Sequence, residues 1–250
     1  MIAPRYEPAL LVLFVLLSFS CVPAAAYSEE AARAFSEGND LVLAGDYYGG
    51  AASFDRAILL EPGFFEAWDR KADALNRAGE LSEAQKAVEK SVEINPEYVR
   101  GWINRGQILY NIGYYYEDVA GDPKKAEEYY LDQLLSFEQA IQLDPGNAEA
   151  RFNRGYALAG MKRYDEALAE FARVRNLDPA YPNLALSEKQ ARVLRDAATP
   201  WYIQYALPLA ALVFIVILIV AYFVLVRQWN ATQKDPAAPE NRRTRRRKEQ

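Results

Sequence analysis

FDRAILLEP at residues 54–62, VEKSVEINP at 88–96, FEQAIQLDP at 137–145 and FARVRNLDP at 171–179 are four versions of one ending, an amphipathic run that stops at a proline. Proline has no amide donor and clashes with the turn before it, so each run reads as a helix that terminates there. Pro62 to Pro96 is 34 residues and Pro145 to Pro179 is 34 again, while Pro96 to Pro145 is 49, one period plus 15. A period of 34 is that of a helix-turn-helix unit stacked into a solenoid. Counted back from the prolines, the units are 31–64, 65–98, 99–147 with a 15-residue insertion, and 148–181.

The residues at fixed offsets inside these units resemble the tetratricopeptide repeat. The first unit carries Gly38, Gly45, Tyr47, Phe54, Ala57 and Pro62, and the second Trp68, Ala72, Leu75, Gly79, Ala84 and Pro96. The third carries Trp102, Gly106, Leu109, Gly113, Phe137, Ala140 and Pro145, and the fourth Gly155, Leu158, Tyr164, Ala167, Phe171 and Pro179. Ala34 and Arg151 stand where the pattern has Trp, Val88 where it has Phe, and Glu37, Lys71 and Arg154 where it has Leu. The resemblance implies an all-α fold, a right-handed solenoid of four such repeats. Small residues at Gly38, Ala72, Gly106 and Gly155 are expected to let the first helix of a pair lie close to the second, facing Ala84 and Ala167. Phe54, Phe137 and Phe171 are expected to plug the gap between adjacent pairs. Leu184 to Ala197 reads as a further amphipathic helix within 182–199, a cap over the apolar end of the solenoid.

The insertion falls between Gly113 and Phe137. Asp122-Pro123 is a helix start, and no Gly or Pro interrupts the run from there to Leu143, which predicts a second helix of about 21 residues. The first helix is expected to continue through Tyr114 to Val119. Tyr110, Tyr114, Tyr115, Tyr116, Tyr129 and Tyr130 decorate this hairpin, six of the 17 tyrosines. These rings either pack the arms together or form a contact surface at the tip.

Outside the repeats, composition removes whole classes of chemistry. The 250 residues are 51% hydrophobic and contain no His, which excludes Ser-His-Asp and Cys-His catalysis and His-ligated metal sites. Cys21 is the sole thiol, so no intrachain disulfide forms. Residues 9–19, ALLVLFVLLSF, follow Arg5 and precede Pro23-Ala-Ala-Ala26, the pattern of a signal peptide over 1–26. An uncleaved anchor and a lipid-bearing Cys21 are the alternatives. Residues 201–226 carry no charge and read as one transmembrane helix, with Trp201, Tyr202, Tyr205, Tyr222 and Trp229 at interfacial depths. Arg227, Lys234 and the cluster NRRTRRRK at 241–248 follow it, which predicts a basic, disordered cytoplasmic tail at 227–250 and repeats outside the membrane. Residues 27–200 hold 20 Lys+Arg against 30 Asp+Glu, an acidic balance that argues against nucleic acid as a partner. The tail suits contact with anionic lipid.

In the family that these repeats resemble, the first helices line a concave face that binds protein segments or extended peptides. By offset, the corresponding positions are Phe35 and Asn39, then Asp69, Arg70 and Asp73, then Arg100, Asn104, Gln107, Tyr110 and Asn111, then Phe152, Asn153 and Tyr156. Asn104 and Asn153 sit in Asn-Arg-Gly triplets, where an amide can bond a peptide backbone. No Lys lies among these positions, so the resemblance does not extend to a carboxylate clamp. The sequence therefore predicts a non-catalytic, membrane-anchored scaffold with no cofactor and no metal. The alternative is a single-pass relay that reports outer binding through its tail; carboxylate pairs such as Glu127 and Glu128 lie on exposed helix and define no active site.

Overall fold

Each period of the sequence is a pair of helices joined by a short turn: α1 (Glu29–Leu43) with α2 (Tyr47–Leu60), and α3 (Phe65–Ala78) with α4 (Leu81–Ile94). The third pair is α5 (Val99–Tyr114), which runs on through a π-helical turn at Tyr115–Val119, and α6 (Pro123–Leu143). The fourth is α7 (Ala148–Gly160) with α8 (Tyr164–Leu177). α9 (Leu184–Ala198) and α10 (Ala206–Gln233) follow, and no strand occurs among the described residues. This computed structural model describes residues 27–200, 203 and 205–233; the expected signal peptide and the tail past residue 233 lie outside the described residues. The chain forms two compact units that divide inside α9, after Glu188.

Local chemistry sets the helix ends. Ser28, Asp46, Asp122 and Asn147 each accept a hydrogen bond from the backbone amide three residues on, satisfying a donor that a helix start leaves orphaned. Gly79 closes α3 at φ 87°, a left-handed conformation that costs a residue without a Cβ little.

Packing within a pair is close at the small residues of the first helix. A Cβ at Gly38 would lie 2.6 Å from the Phe54 ring, at Gly106 2.5 Å from Phe137, and at Gly155 2.8 Å from Phe171. The phenylalanines therefore fill the space over the glycine of their own pair, and Phe54 also shares a core cluster with Ala72, Ala74 and Leu75 of the next pair. In the second repeat the same two offsets hold Ala72 and Val88, both fully buried in one core cluster, so a larger small residue meets a smaller plug.

The substitutions at the Trp offset are equally ordered. Trp68 donates Nε1 to the carbonyl of Pro62 at 3.1 Å, and Trp102 donates to Pro96 at 2.8 Å. In the fourth repeat Arg151 takes this place, donating Nε and Nη2 to Pro145 at 3.0 and 2.9 Å. Its remaining nitrogen, Nη1, is 3.4 Å from Glu170. Glu170 is 1% exposed and stands where the other repeats have Ser53, Ala87 and Ser136. Arg154 at 2.6 Å and Arg173 at 2.5 Å complete its neutralisation, as a buried carboxylate requires.

The insertion lengthens both arms equally. α3 and α4 are 14 residues each around a two-residue turn, whereas residues 99–119 and 123–143 make two arms of 21 around a three-residue turn. Seven residues per arm and one in the turn account for all 15. Along the regular α6, seven residues drift only about 20° from two whole turns, so its apolar seam continues into the added length. Tyr116 and Tyr129 stack there, centroids 5.4 Å apart and planes 5° apart, against the core cluster that holds Leu75 and Ile112. The Tyr130 ring covers Gly113, and its hydroxyl donates to Glu117 at 2.7 Å. Lys125 lies 4.1 Å above the Tyr116 ring, a cation–π contact. Three of the six tyrosines thus bind the arms together, while Tyr110, Tyr114 and Tyr115 are exposed.

Leu184, at the start of α9, is buried, and Arg175 of α8 pairs with Glu188. α10 is exposed along its described side chains except for the half-buried Val226. Its stretch Ala206–Ala231 is long and apolar enough to cross a membrane by length and composition, and helix continues through Gln233, past the expected boundary at Val226.

Candidate functional site

The thirteen positions that sequence offsets assign to the concave face fall into three groups. Phe35 packs against Phe54 and Phe64, with centroids 5.6 and 4.9 Å away, and Phe152 packs against Phe171 and Tyr181 at 5.7 and 4.9 Å. Asn39 bonds the carbonyl of Phe35 in its own helix, and Asp73 pairs with Arg77 at 3.1 Å. Arg70 is half-buried.

The second group forms a polar ladder between α3 and α5. Asn104, 7% exposed, donates Nδ2 to both the side chain (2.8 Å) and the carbonyl (3.1 Å) of Asp69. The Tyr98 hydroxyl donates to the other Asp69 oxygen at 3.2 Å, with Arg100 Nε 3.7 Å away. Seven residues further along each helix, Asn111 donates to Asn76 at 2.8 Å. Asp69 is 1% exposed; burial pushes its carboxyl above the usual range, against the opposing pull of Asn104, Arg100 and Tyr98. The same burial, reinforced by the Asp69 charge, raises the Tyr98 hydroxyl. Asp69 and Asn104 are therefore turned toward each other. The amide expected to meet a peptide has both N–H groups engaged within the fold.

Tyr98 and Asn76 complete this ladder, and offsets from the repeat pattern did not select them. The signal available in the sequence is the step of 35 that relates both Asp69 to Asn104 and Asn76 to Asn111, two polar pairs in one register.

One repeat later the ladder is absent. Ile103 and Tyr110 stand at the offsets of Asp69 and Asn76, opposite Asn153 and Gly160. With no side-chain acceptor at Ile103, the Nδ2 of Asn153 is buried without a hydrogen-bond partner. The third group is exposed: Gln107 and Tyr110 on α5, and Tyr156 on α7. The Tyr110 hydroxyl is raised by partial burial, then by the neighbouring Tyr156 and Glu117, which places the two tyrosines of successive repeats within electrostatic reach of each other. Such a row of rings and amide-type donors suits an extended polypeptide. Among the described residues no three metal-ligating side chains come together.

Comparison with known proteins agrees with this architecture. Two tetratricopeptide-repeat family models match, over residues 65–108 and 120–189. A STIP1 homolog from Dictyostelium discoideum is 24% identical over 153 residues, 60% of this chain and 24% of the relative. The chain thus spans about a quarter of that relative. Among solved structures, a thermophilic TPR protein of Thermus thermophilus aligns with a TM-score of 0.56 at 20% identity, covering 65% of this chain and 81% of its own. MamA aligns at 0.53 and 17% identity, covering 72% and 91%. Family models and structural neighbours together support tetratricopeptide repeats in an all-helical solenoid.

Proposed function

We propose that this chain is a non-catalytic scaffold that holds an extended protein segment on the first helices of its third and fourth repeats, outside a membrane to which α10 anchors it. The observation that carries the binding reading is the break in the polar ladder. Between α3 and α5 the polar groups satisfy one another, whereas between α5 and α7 the Asn153 Nδ2 is buried without a partner and Gln107, Tyr110 and Tyr156 are left exposed. Extended peptides present unpaired carbonyls and apolar side chains, which match the exposed Gln107 amide and two rings. Anchoring is supported by the length and apolar composition of Ala206–Ala231, and an outward-facing solenoid by the excess of Arg and Lys that follows it.

Photo-crosslinking from position 107 in intact membranes tests the binding reading. A discrete crosslinked partner is expected, lost when Tyr110→Ala and Tyr156→Ala are combined while the helical circular dichroism signal is kept. A partner captured equally by that variant places binding elsewhere.

A further inference from the structure

The second helices of the repeats turn one side to solvent, and on two of them ion pairs occupy it. On α4, Lys86 pairs with Glu83 at 2.7 Å and Lys90 with Glu93 at 2.6 Å; at the start of α8, its N-cap residue Arg163 pairs with Glu166 at 2.7 Å. α6 is different. Leu131 and Leu135, four residues apart, are 46% and 61% exposed. Glu127, Glu128 and Glu138 share their side by helical spacing, with Asp132 at its edge and Lys124 at its N-terminal end. None of these four carboxylates pairs with a cation among the described residues. At the offsets of Leu131 and Leu135 the other repeats carry Tyr48 and Ala52, Ser82 and Lys86, and Asp165 and Ala169. The leucine pair is therefore particular to the lengthened third repeat.

Scattered exposed leucines are ordinary on a protein surface. Two of them on one helical side, ringed by four unpaired carboxylates that include the like-charged i, i+4 pair Glu128 and Asp132, are a different matter, because that arrangement costs helix stability until cations arrive. We propose that this side of α6 is a docking surface for a basic amphipathic helix of a partner protein. Apolar side chains of the partner would pack on Leu131 and Leu135, and its Lys or Arg side chains would meet Glu127, Glu128, Asp132 and Glu138. Charge decides among occupants. A second copy would bring the same carboxylates face to face, and an anionic lipid surface would be repelled, whereas a basic helix gains both apolar burial and charge pairing. The surface lies on a second helix, apart from the first-helix positions of the proposed groove, so it does not depend on that reading.

The test uses the full chain in nanodiscs of neutral phosphatidylcholine, with empty discs as blank. The probe is a fluorescent alanine-based helical peptide with six lysines and two leucines at i and i+4; its isomer places the leucines on opposite sides. Fluorescence anisotropy is expected to show binding that weakens as salt rises from 50 to 300 mM. Affinity should fall at least tenfold with Leu131→Ser plus Leu135→Ser, and again with Glu128→Lys plus Glu138→Lys. Both pairs are exposed, and unchanged circular dichroism confirms that each variant is folded. Equal affinity for the isomer, or equal affinity of both variants for the probe, overturns the proposal. So does self-association of the wild type that Leu135→Ser abolishes, which would assign the surface to a second copy.

Discussion

Arg151 and Pro145 are joined by two hydrogen bonds, from Nε at 3.0 Å and Nη2 at 2.9 Å, across the same six-residue step that Trp102 spans to Pro96 with one. The guanidinium keeps the clasp of the helix start to the preceding turn and adds a charge beside buried Glu170. Arg151→Trp is thus expected to retain the contact with Pro145 while Glu170 loses one of three cations. Arg151→Ala loses both, and hydrogen bonds to charged groups are each worth about 1.5–3 kcal/mol. Urea unfolding should rank wild type above Arg151→Trp, and Arg151→Trp above Arg151→Ala; the reverse order of the two variants would show that the clasp to Pro145 is dispensable.

The glycine and phenylalanine of one pair form a matched set. Gly106→Ala drives a methyl group to 2.5 Å from the Phe137 ring, an overpacking that typically costs about 1–3 kcal/mol, partly offset by roughly 1 kcal/mol of helix propensity. Adding Phe137→Val recreates the Ala72 and Val88 combination of the second repeat. A double-mutant cycle is expected to show favourable coupling between the two changes, whereas strict additivity would mean that the ring and the glycine do not share a space. Gly160→Ala serves as the control, since nothing lies within 4 Å of its added methyl.

Asp69 predicts a pH dependence. Its folded carboxyl is raised, chiefly by burial, so the stability it contributes is full below the unfolded value and is lost as pH rises through the folded one. Asp69→Asn keeps an acceptor for Asn104 and removes the titration. Relative to the wild type, this variant should gain stability between pH 3 and pH 7, measured by thermal melts across that range. A relative loss over the same interval would show that Asn104, Arg100 and Tyr98 outweigh desolvation. Asn104→Ala is expected to lower stability at every pH in the range, because it strips Asp69 of its nearest partner.

The proposed topology has its own check. An epitope at residue 250 should resist protease added to intact cells, and the repeats should be cleaved. Protection of the repeats with loss of the epitope would reverse the orientation drawn from the Arg and Lys that follow residue 226.

Periodicity made the solenoid legible, because a helix pair of fixed length stamps its end with proline every 34 residues. The insertion was legible too, since Asp122-Pro123 and an unbroken run to Leu143 leave a single helix as the simplest reading. What offsets did not convey was direction at the side-chain level. Asn104 and Asn153 occupy equivalent positions in identical triplets, yet one is satisfied and the other is not, and the difference lies in residues 35 and 50 positions upstream, Asp69 and Ile103. Arg151 and Arg154 likewise looked like departures from a pattern until Glu170, buried at an offset reserved elsewhere for small side chains, gave them a shared partner.

The equal lengthening of both arms of the third hairpin has a consequence for how such a chain can change its reach. A regular α-helical arm such as α6 that grew by five residues would rotate its apolar stripe away from its neighbour, whereas growth by seven returns the stripe nearly to its starting azimuth. Reach along that arm is therefore quantised, in increments of about 10.5 Å per added heptad at 1.5 Å per residue. Reach and fold are then separately heritable: the tip can move outward or inward by whole heptads while the four-pair frame beneath it stays in phase.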